Sequence, residues 1–229
     1  GGVQSAIARG AVPDQAIVAV GVDQLAEVTS TLLEAGVTRL LVEKPGGLGS
    51  AELVGVRDKA PNAEVVIAYN RRHYASTSTA RQIIAEDGGV SSFFFEVTEW
   101  PHATEPKQVE PPVRERWLLA QSSHVIDLAF HLGGQPVDWA CWHKGSLVWH
   151  QESSRFAGAG VTAAGATFGF HGDWEAPGRW GLEVMTRSHR LIFRPLETLQ
   201  VMSIGSLDVV SAPIDDDVDR AFKPGIHEQ

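Results

Sequence analysis

The chain has 229 residues, of which 43% are apolar and 21% are charged, and its formal net charge at pH 7 is −9. These values are typical of a folded chain with room for one large or two smaller domains, and they exclude a disordered chain. The acidic balance argues against binding to nucleic acid or to an anionic membrane surface. We therefore expect a small-molecule ligand and neither of those partners.

Cysteine content and the chain ends indicate the compartment. Cys141 is the only cysteine, which excludes an internal disulfide, favours the cytoplasm and predicts a buried structural thiol. No apolar run reaches the roughly 20 residues that cross a bilayer, and residues 1–13 lack the regions of a signal peptide. Because the chain starts at Gly1 in the middle of a pattern and ends in "FKPGIHEQ", we expect both ends to be incomplete.

The first 68 residues alternate between apolar strands and helices. The strands have the continuous apolar character of parallel strands buried on both faces, and Gly36 ends the first helix. Ser50 is the expected N-cap of the second helix. The predicted strands are residues 16–22, 37–42 and 65–68, and the predicted helices are residues 25–35 and 50–60. This order predicts the remainder of a doubly wound, Rossmann-type parallel α/β sheet as domain 1–68.

Beyond residue 68 the pattern changes to long strand-like stretches. A helix is predicted at residues 75–86 and another from about Ser122 to residue 132, and the remainder is rich in alternating strand residues. Runs of strands after a βαβ segment predict an α+β domain, residues 69–229, with a mostly antiparallel open sheet. Its histidines at 143, 150 and 171 lie singly without ligand spacing, so no metal site is predicted.

Three motifs together resemble one protein family. They are "VEKPGG" at 42–47, "YNRRHY" at 69–74 and "SSHVIDLAFHLGG" at 122–134. In order and spacing they are similar to the motifs of the glucose-fructose oxidoreductase and inositol dehydrogenase family, Gfo/Idh/MocA, and to its polysaccharide and nucleotide-sugar subgroup. The resemblance covers the whole chain, but the family's first βαβ unit and its GxGxxG turn are not in this sequence. It implies binding of NAD or NADP.

The first motif follows a predicted strand, where ligands of open α/β sheets bind. The resemblance implies that Lys44 lies between nicotinamide and substrate and polarises the reacting hydroxyl, because an ammonium stabilises a developing alkoxide. It also implies a set of cofactor-binding residues, namely Gly21, Val22, Glu43, Lys44 and Pro45.

The third motif supplies the expected acid/base group. His124 and Asp127 are three residues apart on a predicted helix, so their side chains share one face. The resemblance implies that His124 is the general acid/base and that Asp127 supports it. Many family members have a further carboxylate one turn earlier. Here that position is Ala120, so Gln121 substitutes for the acid or the substrate differs.

The remaining expected contacts are to the sugar. The resemblance implies that Asn70, one arginine of the Arg71–Arg72 pair and Tyr74 shape the substrate site, and we assign Arg72, Gln121 and His124 to it with them. Either arginine is equally compatible with a solvated surface position. In "HGDWEAPGRW", at 171–180, the tryptophans favour core or interface packing, although the arginine could hold a diphosphate.

The resulting expectation is an NAD(P)-dependent oxidoreductase that transfers hydride between a sugar or nucleotide-sugar hydroxyl carbon and nicotinamide. Two alternatives remain: an NAD-dependent glycosidase or lyase that oxidises its substrate transiently, and a non-catalytic sensor of sugar or cofactor. We also expect a homo-dimer or tetramer that buries the open face of the antiparallel sheet. The candidate interface residues are Trp139, Trp142, Trp149 and Trp174.

Overall fold

The structure, a computed structural model, describes residues 2–100 and 109–229. It divides into two compact units. The first consists of Gly1–Tyr69 and Val109–Ser123, and the second of Asn70–Gln108 and His124–Gln229. The predicted domains, 1–68 and 69–229, differ from these units mainly in the placement of Val109–Ser123, and as domains they stay a prediction.

A three-stranded parallel sheet organises the first unit, with strand order β1-β2-β3. Its strands are β1 (Gln15–Val18), β2 (Arg39–Val42) and β3 (Glu64–Ile67), and its helices before residue 69 are α1 (Val3–Ala8), α2 (Leu25–Glu34) and α3 (Ser50–Lys59). Ile17, Leu41 and Val66 are in register across the three strands. The predicted βαβ pattern and parallel sheet are therefore confirmed.

The apolar core of the first unit lies on one face of this sheet. Val18, Leu40 and Val42 are buried there with residues of α2 and α3. On the other face Ile17 is 77% exposed and Val66 is 43% exposed. Among the described residues, the prediction that these strands are buried on both faces is therefore wrong.

Helix α3, which was predicted at residues 50–60, begins differently from the prediction. Gly49 occupies the N-cap position and Ser50 is the first helical residue, without a side-chain capping bond. Instead, Glu52 Oε2 accepts a hydrogen bond of 2.8 Å from the Leu48 N–H. This first-turn carboxylate pairs with an N–H just outside the helix, and its negative charge interacts favourably with the positive end of the helix dipole. The helix therefore does not depend on a serine cap.

A mixed, mostly antiparallel sheet of eight strands organises the second unit, in the order β11-β10-β9-β8-β4-β7-β6-β5. Within the described part of this eight-stranded sheet, only β4 and β7 pair in parallel. The strands are β4 (Ser92–Glu96), β5 (Pro136–Lys144), β6 (Arg155–Thr162), β7 (Thr167–Asp173), β8 (Gly181–Met185), β9 (His189–Phe193), β10 (Gln200–Ser203) and β11 (Val210–Ser211). The predicted fold class is confirmed.

Four further helices follow β3 in the described chain: α4 (Ala75–Glu86), α5 (Pro111–Glu115), α6 (Trp117–Gly133) and α7 (Asp217–Ala221). Helix α5 belongs to the first unit, α6 begins in the first unit and continues into the second, and α4 and α7 belong to the second. Helix α4 has the predicted bounds. Helix α6 begins five residues before the predicted start at Ser122, which is fully buried inside the helix. Within the described ranges, no helix is long and apolar enough to span a membrane.

Aromatic packing fixes α6 on the eight-stranded sheet. The Phe130 ring of α6 lies edge-on to the Phe93 ring at a centroid distance of 5.6 Å, and Phe93 stacks on Phe168 at 5.4 Å. Gly133 lies so close to Phe93 that a Cβ there would be 2.2 Å from the ring. These contacts hold the helix that carries His124.

Two sequence predictions are wrong in this unit. Cys141 is exposed rather than buried, because β5 is an edge strand with few covered positions. Trp174 is completely buried and stacks on Trp149, so it is a core residue and not an interface candidate. Trp139 and Trp142 are 58% and 61% exposed.

Candidate functional site

The chain turns tightly where β2 ends. The Gly46 N–H donates to the Glu43 carbonyl at 3.0 Å, and Gly46 has a φ of +85°. A Cβ at this position would lie 2.6 Å from Ile67 Cδ1. The turn therefore requires glycine for its backbone conformation and for space. Its geometry fixes the direction in which Lys44 leaves the end of the strand.

Lys44 is anchored to a backbone carbonyl. Its Nζ donates a hydrogen bond of 2.6 Å to the carbonyl oxygen of Ala120, in a partly buried environment. Ala120 is 4% exposed and lies in α6. Position 120 is the one at which the sequence lacks the expected carboxylate. The contact positions the ammonium group without neutralising its charge at that point.

The residues assigned to the cofactor lie after two neighbouring parallel strands. Gly21 and Val22 follow β1, where the Gln24 N–H donates to the Gly21 carbonyl at 2.9 Å and closes a 3₁₀ turn. Glu43, Lys44 and Pro45 follow β2. The carboxyl ends of adjacent parallel strands share one sheet edge, which is where open α/β sheets bind ligands. Their cofactor contacts stay predictions.

His124 lies inside α6 rather than at its N-terminus. The helix begins at Trp117, so His124 is two turns inside it. The centroid of its imidazole ring is 6.2 Å from that of the Trp180 ring, and the ring planes are inclined by 54°. Its predicted role as general acid/base stays a prediction.

Asp127 forms a two-point ion pair with Arg72. Arg72 Nε donates to Oδ2 at 2.8 Å and Nη2 donates to Oδ1 at 2.5 Å. The Asp127 side chain is 11% exposed and that of Arg72 is 43% exposed. A bidentate pair fixes both groups strongly. The predicted support of His124 by Asp127 and the predicted sugar contact of Arg72 stay predictions, and the structure adds a structural partner to each.

Asn70 and Tyr74 are covered by residues near the C-terminus. Asn70 is 7% exposed and its Nδ2 donates to the Pro224 carbonyl at 3.0 Å. Tyr74 is 4% exposed, and burial raises the pKa of its hydroxyl. A Cβ on Gly225 would lie 2.9 Å from the Tyr74 ring. These contacts give both residues a packing role, and their predicted sugar contacts stay predictions.

Gln121 is half-buried beside Ala120 in α6. Its predicted substitution for the absent carboxylate is not tested by any contact in the described structure and stays a prediction. Three or more His, Cys, Asp or Glu side chains grouped to hold a metal ion are not found in residues 2–100 and 109–229.

The sequence motifs did not predict a cluster around Trp180. Arg71 and Arg179 each place Cζ over the Trp180 ring, at 5.3 and 5.2 Å from its centroid. The Trp180 Nε1–H donates to Glu99 Oε1 at 2.8 Å. The available signal was "APGRW", where an arginine directly precedes a tryptophan, but the other arginine is more than 100 residues away in sequence.

No protein-family model matches the chain, and no curated protein matches it in sequence. Solved structures do match. A levoglucosan dehydrogenase in complex with NADH and levoglucosan gives a TM-score of 0.72 at 18% identity, covering 91% of this chain and 63% of that chain. An NAD-binding oxidoreductase from Klebsiella pneumoniae gives 0.74 at 15% identity, covering 91% and 62%. UDP-N-acetylglucosamine 3-dehydrogenase GnnA from Acidithiobacillus ferrooxidans gives 0.70 at 16% identity, covering 93% and 67%.

At such low sequence identity, these comparisons show that the chain shares its fold with the matched structures. The chain has the architecture of these oxidoreductases, a Rossmann-type parallel sheet followed by a mixed, mostly antiparallel sheet. It spans less than two thirds of the length of the levoglucosan dehydrogenase chain.

Proposed function

We propose that the protein is an NAD(P)-dependent oxidoreductase of the Gfo/Idh/MocA type that acts on a hydroxyl carbon of a sugar or nucleotide sugar. One observation carries the proposal. Lys44 Nζ is fixed on the Ala120 carbonyl, and Ala120 precedes His124 by one turn of α6, which is about 6 Å along the helix axis. The expected cation is thus bound by a residue of the helix that also carries the expected acid/base group.

In the proposed mechanism, His124 removes the proton from the substrate hydroxyl. The Lys44 ammonium stabilises the negative charge that develops on that oxygen. When bound, NAD(P)+ supplies the acceptor for the hydride that leaves the carbon, and the product is a carbonyl. In the reverse direction His124 returns the proton. Proton transfer by a positioned group contributes about 10²–10⁴-fold to such reactions.

The proposed nicotinamide site is the edge of the parallel sheet. Gly21 and Val22 after β1, and Glu43 to Pro45 after β2, would hold it there, and the tight turn at Gly46 keeps the backbone close to that edge. The glycine-rich pyrophosphate turn is not among the 229 residues. The choice between NAD and NADP rests on residues outside these positions.

Turnover by the full-length protein tests this proposal. NADH formation with a panel of sugars and nucleotide sugars is expected to fall by at least about 100-fold in Lys44→Ala and in His124→Ala. Lys59→Ala is the matched control, because Lys59 is an exposed lysine that pairs with Glu34, and its turnover is expected to equal that of the wild type. Normal turnover in both site variants would reject the assigned roles.

Net redox change separates the alternatives. An ordinary dehydrogenase accumulates NADH in step with oxidised sugar, whereas a glycosidase that oxidises transiently releases a cleaved glycoside without net NADH. A sensor binds cofactor and sugar and forms neither product.

We also propose that the chain forms a homo-oligomer through the open face of the eight-stranded sheet. Trp142 and Val161 lie on this face and are 61% and 37% exposed, and apolar surface of this kind favours association. Light scattering is expected to show a dimer or tetramer that Trp142→Glu dissociates. A wild-type monomer at micromolar concentration would contradict this proposal.

A further inference from the structure

Aromatic rings and guanidinium groups alternate along one line of contacts in the second unit. We call this set the arginine ladder, and its members in order are Trp100, Arg179, Trp180, Arg71 and Tyr74. Arg179 Cζ lies 5.1 Å from the Trp100 ring centroid and 5.2 Å from that of Trp180. Arg71 Cζ lies 5.3 Å from the Trp180 centroid and 5.8 Å from that of Tyr74. Each guanidinium is therefore held between two rings.

Ring contacts leave the hydrogen-bond donors of an arginine available. A guanidinium meets a ring through its face, while its N–H groups point outward in the plane and match the oxygens of a phosphate or carboxylate. Arg71 Nε is buried and has no hydrogen-bond partner in the part of the chain that the structure describes. The nearest carboxylate oxygen in an ion pair with Arg71 is Glu197 Oε1, which is 3.9 Å from Nη2. Buried donors are normally paired, which makes this N–H a candidate donor to a ligand.

Arg179 is exposed, and within residues 2–100 and 109–229 it makes ring contacts but no ion pair. Other arginines of this unit instead bind a carboxylate of their own, with a short hydrogen bond in each case: Arg72 with Asp127, Arg190 with Glu183 and Arg194 with Glu96. Neither ladder arginine has a carboxylate at hydrogen-bond distance among the described residues.

The ladder is fixed before any ligand binds. Trp180 is 5% exposed, and its Nε1–H bonds to the buried Glu99 carboxylate at 2.8 Å. The Trp100 Nε1–H donates to the Gly178 carbonyl at 2.6 Å. Ordering the rings in advance lowers the entropy that a ligand must lose. The arrangement therefore suits a binding site better than a solvated surface.

The ladder lies beside the proposed acid/base residue. The His124 ring centroid is 6.2 Å from that of Trp180, the central ring of the ladder. An anionic group on a substrate that reaches His124 would therefore lie near the ladder.

We propose that the arginine ladder binds an oxyanion group of the substrate through the in-plane N–H groups of Arg71 and Arg179. This inference rests on the proposed function and restricts its substrate to an acidic sugar. A nucleotide sugar would supply the oxyanion as a diphosphate, and a uronic acid would supply it as a carboxylate.

Direct binding to the full chain tests the ladder without turnover. Isothermal titration calorimetry uses uridine diphosphate as the phosphate probe, glucuronate as the carboxylate probe and glucose as the neutral probe. In Arg71→Gln and in Arg179→Gln, the Kd for at least one anionic probe is expected to rise about tenfold. The matched control is Arg187→Gln, an exposed arginine of the same unit, and its Kd is expected to equal that of the wild type.

The pattern of binding decides the inference. The anionic probe that responds to both ladder variants identifies the source of the oxyanion. Because Arg71 is largely buried, the Kd of its variant is interpreted only if circular dichroism shows a native fold. Arg179 is exposed, and the Kd of its variant provides the second test. Absence of binding by both anionic probes, or equal binding by wild type and both ladder variants, overturns the inference.

Failure of the inference is distinguishable from failure of the proposed function. Lys44-dependent oxidation of a neutral sugar, with no arginine-dependent anion binding, rejects the ladder as a substrate site and leaves the oxidoreductase in place. Arginine-dependent anion binding by a chain that oxidises neither acidic nor neutral sugars retains the oxyanion site and rejects the oxidoreductase.

Discussion

The packing of α6 on the sheet makes a sharp prediction at Gly133, the last residue of that helix. Alanine there would place its Cβ 2.2, 2.5 and 2.6 Å from three atoms of the Phe93 ring. Phe93 is 2% exposed, stacks on Phe168 and meets Phe130 edge-on. The ring therefore has no free volume into which it can turn, and the helix or the sheet must move instead.

The magnitude follows from two opposing effects. Relieving the contact requires a displacement of roughly an ångström, and overpacking of this kind costs about 1–3 kcal/mol. Replacing glycine by alanine inside a helix stabilises the folded state by up to about 1 kcal/mol, and by less at a helix end. Gly133→Ala is thus expected to lower the free energy of unfolding by about 1–2 kcal/mol, or the urea midpoint by about 0.5–1 M at an m-value near 2 kcal/mol/M.

Urea unfolding followed by circular dichroism and tryptophan fluorescence measures this change. Gly55→Ala is the matched control, since Gly55 lies inside α3 with nothing within 4 Å of the added Cβ. That substitution is expected to stabilise by about 0.5–1 kcal/mol. Combining Gly133→Ala with Phe93→Leu is expected to recover part of the loss as a coupling energy. Stabilisation by Gly133→Ala equal to that of Gly55→Ala would refute the packing argument.

Three other features give predictions of their own. Hydrogen bonds from Thr186 and His189 lower the pKa of Asp87 below 3.8, so its stabilisation is present above that pH and is lost as the pH falls through the lower folded value. The difference in urea midpoint between wild type and Asp87→Asn is expected to disappear in acid, and its persistence there would contradict the assignment. Trp174→Ala is expected to cost about 3–5 kcal/mol in unfolding experiments, because the indole is fully buried. Cys141 is exposed as a residue, and partial desolvation of its thiol raises its pKa above 9.0. Ellman's reagent should therefore label the native chain faster as the pH rises, and a thiol that reacts only after unfolding would be inconsistent with the exposed edge strand.

The local sequence pattern predicts the bounds of helices and strands better than it predicts which of their faces are buried. The helix at residues 75–86 was predicted with its observed bounds, because a periodic segment is followed by Asp87-Gly88-Gly89. The strand faces were harder. Alternation along a strand separates its two faces but does not reveal which face another element covers. It also does not reveal that a strand lies at the edge of its sheet, as β5 does. Cys141 was for this reason predicted buried and found exposed.

Partners at the candidate site were predictable only where they are close in sequence. Asp127 was predicted to support His124, three residues away, but Arg72, 55 residues away, binds both of its oxygens. Nothing in the local pattern marks so distant a partner. The acceptor for Lys44 was equally hidden, because it is a backbone carbonyl, and every residue has one.

The identity of residue 120 connects the site to its proposed chemistry. A carboxylate at this position could pair with the Lys44 ammonium and reduce the positive charge that reaches the substrate. Alanine leaves the backbone carbonyl as the acceptor, which orients the ammonium but does not titrate. Loss of the acid also removes a hydrogen-bond acceptor for a sugar hydroxyl. In the proposal above the substrate supplies its own oxyanion to Arg71 and Arg179, and such a substrate has less need of that acceptor.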